Sequence, residues 1–121
     1  MLVRMRKAFV HQATVSMTPD GDPAAVGATL TMALCGHWEH EPPCPLAPHH
    51  TSAVRDGDVV RVRTLFACEP DRQADVRSLI DAALAAGRGP SGGVDTWVLR
   101  GSGRDEVHES ERAHAGRLVH S

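Results

Sequence analysis

Four prolines within seven residues, Pro42, Pro43, Pro45 and Pro48, divide the chain in two, because no regular helix or central strand can run through them. Regular structure must therefore be sought separately on the two sides of this segment. On the N-terminal side, residues 7–17 alternate: Phe9, His11, Ala13, Val15 and Met17 share one face, and Val10, Gln12, Thr14 and Ser16 share the other. That period of two predicts a strand. Thr18-Pro19-Asp20-Gly21-Asp22-Pro23 is dense in turn formers and leads to a second run in which Ala28, Leu30, Met32 and Leu34 alternate. The spacing predicts a second strand, antiparallel to the first.

On the C-terminal side, Asp56-Gly57-Asp58 marks a turn, followed by a third strand with Val60, Val62, Thr64 and Phe66 on one face and Arg61, Arg63 and Leu65 on the other, ending at Cys68. Pro70 and Asp71 then open a helix over 71–86, where Val76, Leu79, Ile80, Ala83 and Leu84 recur at helical spacing and Gly87 supplies a left-handed stop. A glycine-rich stretch to Gly93 precedes a short fourth strand with Val94, Trp97, Val98 and Leu99, and Gly101-Ser102-Gly103 reads as a turn after it. The polar tail 104–121 has little apolar support, so a helix there needs docking to be stable. The expectation is one α+β domain over residues 1–121. Its small antiparallel-rich four-stranded sheet, in the order β-β-β-α-β with a possible C-terminal helix, is covered by one main helix. A right-handed crossover through the helix would make the third and fourth strands parallel.

With 121 residues, one core suffices. The formal charge of -2 gives no whole-chain attraction to nucleic acid or anionic lipid, and two Trp and two Phe leave few platforms for base stacking. The apolar run behind Arg4, Arg6 and Lys7 stops at His11, which does not make an export signal, and no stretch nears the roughly 20 apolar residues of a membrane span. Three cysteines, Cys35, Cys44 and Cys68, do not suggest a disulfide framework. These features point to a soluble cytoplasmic protein with no membrane or nucleic-acid partner, and they are compatible with a homodimer.

The chemistry-bearing residues concentrate in the loop 36–50. His37, His40, Cys44 and His49 are spaced as zinc ligands are, imidazole nitrogens and thiolate binding the ion tetrahedrally, and the prolines restrict the open loop. Cys35 is the weakest ligand because it belongs to the second run, and His50 competes with His49. The expectation is a non-enzymatic structural or regulatory module with zinc held by those four side chains. A metal-free interaction or dimerisation module is the alternative, as is a small metal-dependent hydrolase with Glu39 or Glu41 as base. Trp38 reads as the loop's hydrophobic anchor.

Other candidates carry less. Arg61 and Arg63 project from one strand face, with Arg100 as an extension of the patch, and suit an anion or an acidic partner as well as plain solvation. Cys68, before a helix start, reads as a buried small hydrophobe rather than a reactive thiol. His11, alone on an apolar face, reads as a hydrogen-bonded core histidine. His108, Glu111 and His114 read as part of an exposed end. No phosphate loop, nucleophile elbow or HExxH helix is present, and no catalytic residue is assigned.

Overall fold

A computed structural model describes residues 5–35, 47–90 and 95–120. The elements are β1 (Lys7–Met17), α1 (Ala24–Cys35), β2 (His49–Asp56), β3 (Val59–Cys68), α2 (Gln73–Ala86), β4 (Trp97–Asp105) and α3 (Arg112–Val119), with single 3-10 turns at Pro70–Arg72 and Glu109–Glu111 leading into α2 and α3. The sheet order is β2-β3-β1-β4, and every neighbouring pair is antiparallel. β3 and β4 therefore run parallel to each other with β1 between them. A β-α-β-β-α-β order with β1 and β3 at the centre is the ferredoxin-like arrangement, here extended by α3. The class is α+β, as the sequence predicts, with α2 packed on the sheet.

Three elements differ from expectation. The run around Ala28–Leu34 is a helix, not a strand: Val26, Leu30 and Leu34, four apart, are fully buried on one side of it. Its start is capped, since Asp22 Oδ1 accepts the Ala24 N–H at 3.0 Å with Pro23 between them, the usual chemistry of a helix N-terminus. The second strand of the sheet is instead His49–Asp56, which forms a hairpin with β3 through Gly57 at φ 64°. Gly101-Ser102-Gly103 lies inside β4 rather than after it.

The main core fills the space between the inner sheet face and α1 and α2, with Val15, Val60, Phe66, Leu30, Ile80 and Leu84 essentially inaccessible. On α2 the buried apolar positions are Val76, Ile80 and Leu84, while Leu79 and Ala83 are partly buried at its margin. Gly87 ends α2 at φ 70°, where a Cβ would collide with the Trp97 carbonyl, and the Trp97 indole N–H closes the same corner by donating to Leu84 O at 2.9 Å. Among the described residues no helix is long and apolar enough to cross a membrane.

Candidate functional site

The strand register decides which side chains meet on the outer face of the sheet, away from α1 and α2. Pairs stand opposite one another on the same face, so Val10, Gln12, Thr14 and Ser16 of β1 join Arg61, Arg63 and Leu65 of β3 and His50, Ser52 and Val54 of β2. One end of this face is covered. Val10 and Leu65 are buried there beneath Ala115, with Ala8, Val107 and Leu118 around them, and the His50 and His114 rings pack at 4.6 Å between centroids.

Arg63 holds that cover in place. Its Nε and Nη2 donate to the two oxygens of Glu111 at 2.8 Å each, its Nη1 to Asp105 at 2.6 Å, and its Nη2 to the Glu106 carbonyl at 2.6 Å. The two parallel bonds to Glu111 form the strong bidentate geometry of guanidinium and carboxylate. Glu111 also accepts the His108 N–H at 2.8 Å, closing the turn before α3. The guanidinium holds the Glu111 carboxyl down to about 2, from an ordinary 4.5.

Because the folded-state pKa is depressed, the stabilising contribution is complete above about pH 4.5 and lost as the pH falls through about 2. Acidification across that window is expected to release α3 while α2 and the inner core stay protected. Amide exchange in residues 112–119 measures this directly, and unchanged protection of α3 down to pH 2 would show that the clamp does not hold it.

The other half of the outer face is uncovered and forms a depression of about 620 Å³, with Gln12, Thr14, Ser52, Val54 and Arg61 in its lining. Arg61 is exposed and has no ion pair among the described residues. Arg100, at the bulge where β4 slips register against Thr14 and Val15, donates to Ser16 Oγ at 2.8 Å. Val54 and Val98 are the large apolar side chains most exposed on this face. Of the three expected anion contacts, then, Arg63 is consumed by carboxylates of the same chain, Arg100 is turned toward Ser16, and Arg61 is open.

The expected zinc loop requires correction. His37, His40 and Cys44 lie outside the described residues, and among the described residues no group of three or more His, Cys, Asp or Glu side chains could hold a metal ion. His49 is already committed. Its Nδ1 lies 3.1 Å from the Ala47 carbonyl, which can only accept, so Nδ1 carries the proton and Nε2 is the acceptor facing the Thr31 hydroxyl at 3.0 Å. Both ring nitrogens are occupied, Nε2 tying β2 to α1 and Nδ1 holding the backbone just before β2, and burial lowers the His49 pKa. His50, its sequence neighbour, points to the opposite sheet face, as strand alternation requires. A zinc-binding role is therefore not supported, and a hydrolase built on the same metal loses its basis with it.

A second polar cluster, between β1, β4 and α2, contains Ser, His and Asp. Arg77 donates to His11 Nδ1 at 3.0 Å and to Val10 O at 2.8 Å, and its Nε reaches Gln73 at 3.0 Å. A donor on Nδ1 requires the neutral tautomer with the proton on Nε2, which donates to Asp81 Oδ1 at 2.7 Å. Ser102 donates to that same oxygen at 2.7 Å. The serine thus bonds the carboxylate and not the imidazole, so no base is placed to take its proton as nucleophilic catalysis requires. Desolvation alone would raise the Asp81 pKa, but the bonds from Ser102 and His11 hold it below the usual carboxylate value. The cluster is a strut between helix and sheet.

Cys68 is buried, and desolvation raises its pKa, which leaves a thiol rather than a thiolate before α2. The chain matches no known protein family and resembles no curated protein.

Proposed function

We propose that this protein is a non-enzymatic binding module whose working surface is the uncovered half of the outer sheet face, and that it takes a small carboxylate-bearing ligand there. The observation that carries the reading is the contrast between two arginines that line one depression: Arg63 is saturated by Glu111 and by Asp105, which lies in the same lining, whereas Arg61 stands exposed with no ion pair among the described residues. An unpaired guanidinium offers a planar fork of donors matched to a carboxylate. Gln12, Thr14 and Ser52 add neutral donors and acceptors around it, and Val54 an apolar wall. The volume falls within the roughly 300–1,000 Å³ of ordinary small-molecule sites. With an odd number of cysteines and a mild net charge, action in the reducing cytoplasm fits the same reading.

Calorimetric titration of the intact protein with succinate, glutarate and citrate tests it. Charge-assisted bonds contribute about 1.5–3 kcal/mol each, so Arg61→Ala should weaken binding by about tenfold or more. Because Arg61 is exposed, its replacement should leave the thermal transition unchanged. A variant that binds these carboxylates as tightly as the wild type would contradict the proposal.

A further inference from the structure

The two edges of the sheet are built differently. β4 is interrupted by the bulge opposite Thr14 and Val15 and carries Gly101 and Gly103, features that weaken strand pairing. β2, the other edge, is eight residues long, pairs with β3 in unbroken register, and contains neither proline nor lysine. Among the described residues no strand pairs with its outer side, and its two charged residues, Arg55 and Asp56, stand together at one end, with the Arg55 guanidinium held by the Thr18, Gly21 and Gly57 carbonyls.

The hydrogen-bond phase of β2 follows from one contact. Ala67 N–H donates to Pro48 O at 3.0 Å, which makes Pro48 and Ala67 a hydrogen-bonded position. Stepping by two along the antiparallel register, His50, Ser52, Val54 and Asp56 direct their backbone groups toward β3, while His49, Thr51, Ala53 and Arg55 direct theirs toward the outer edge, where no strand pairs among the described residues.

From this geometry we infer that a second copy of this chain pairs with β2 antiparallel, about a two-fold axis at Ala53, joining the two sheets into one. A two-fold contact of this kind must be self-complementary. In this register Ala53 meets the partner's Ala53, Thr51 meets the partner's Arg55, Ser52 meets the partner's Val54, and His50 meets the partner's Asp56. Every pair keeps its side chains on a common face, and the one acidic side chain of the strand lies across from an imidazole. Of the two neighbouring in-phase registers, the one centred on Ser52 sets His49 across from the partner's Arg55 and leaves Asp56 beyond the paired strand, and the one centred on Val54 pairs only residues 52–56 of each strand.

The flank beside this edge favours the same occupant. α1 rests on β2, its Gly27 so placed that a Cβ would lie 3.7 Å from Thr51 and its Thr31 bonded to His49. The helix contains no Asp, Glu, Lys or Arg in its 12 residues. Depletion of charge is the compositional mark of the centre of a homodimer interface, and two such helices brought alongside by the joined strands meet no like charge.

Sedimentation velocity of the full chain, from micromolar to millimolar concentration, tests the inference, with two double variants at the exposed positions 52 and 54. Wild type should shift from monomer to dimer as concentration rises. Ser52→Lys with Val54→Lys sets lysine against lysine twice across the axis and should remain monomeric. Ser52→Lys with Val54→Glu sets lysine against glutamate and should dimerise again. Circular dichroism confirms that each variant is folded, which exposed substitutions permit. A wild type that stays monomeric throughout, or a lysine–lysine variant that dimerises as well as wild type, overturns the inference, and failure of the lysine–glutamate variant to recover dimerisation overturns the register.

Discussion

Replacement of Phe66 by alanine should destabilise the protein by about 3–5 kcal/mol, the range for removing a fully buried phenylalanine. Phe66 has no solvent exposure and sits on the inner face of β3 in the main core. Its ring packs 5.7 Å from that of Phe9, and the Arg77 guanidinium lies 5.3 Å from its centroid. The chain has only two Phe and two Trp, and the neighbours in the core are chiefly Val, Leu and Ala, none of which can reach across the space a phenyl ring leaves. Collapse around the cavity is therefore limited, which places the cost high in the range. Urea unfolding followed by circular dichroism measures it, and a loss under about 1 kcal/mol would mean that the core is not assembled around this ring.

Arg77→Ala should be the next most damaging substitution. The side chain is buried, yet it is not there for packing alone: it supplies the donors that satisfy the Val10 carbonyl and His11 Nδ1. His11 Nδ1 left without a donor costs about 1–3 kcal/mol, the Val10 carbonyl loses one of its bonds, and the contact with the Phe66 face is lost as well. Burial, with the Arg104 charge nearby, already lowers the Arg77 pKa, so the guanidinium is held at some electrostatic cost that its hydrogen bonds offset. Arg77→Met retains much of the apolar stem, and a loss close to that of the alanine variant would assign the effect to the hydrogen bonds. Nitrogen NMR of the His11 ring gives a second readout: wild type should show the proton on Nε2, and the variant should lose that fixed tautomer. An unaltered tautomer in Arg77→Met would show that Asp81 alone orients the ring.

How far the sequence reveals this fold depends on which elements show a single unambiguous period. β1 and β3 alternate cleanly over long runs and are legible, and α2 adds Leu79 and Ala83 to Val76, Ile80 and Leu84, a mixture of three- and four-residue steps that only a helix brings to one side. α1 is ambiguous because Leu30 and Leu34 satisfy both the period of two, with Ala28 and Met32, and the four-residue step of a helix, with Val26. The alternation is the accidental pattern. What decides it is Asp22-Pro23 just before the run, a capping pair that looks like mere turn chemistry in a segment already rich in turn formers. β2 is invisible for the opposite reason: neither Thr51, Ala53 and Arg55 nor Ser52, Val54 and Asp56 make an apolar face, and its pairing comes from lying beside β3. α3 lacks a self-sufficient apolar stripe, and what docks it is Arg63 reaching Glu111, a contact 48 residues away in sequence.

The site divides in the same way. That Arg61 and Arg63 share a face follows from their spacing, but that one is neutralised and the other open depends on where Asp105 and Glu111 fall, which only the tertiary structure shows. His11 and Arg77 did leave a trace, each being a polar residue on an otherwise apolar face. Two such residues buried in one core must find partners, and here they find each other. The histidine and cysteine spacing of the loop carried no comparable constraint, because ligand-like intervals do not require convergence, and the backbone alternation at His49 and His50 sends the pair to opposite faces.

The claim on which the functional account rests is that the uncovered half of the outer sheet face is where a ligand binds. Amide chemical-shift mapping of the labelled full-length protein during a succinate titration tests it most directly. The account predicts saturable shifts concentrated at Gln12, Thr14, Ser52 and Arg61, with α2 and the His11–Asp81 strut unmoved. Shifts concentrated on α2 and Asp81, or none at these four residues at saturating succinate, would contradict it.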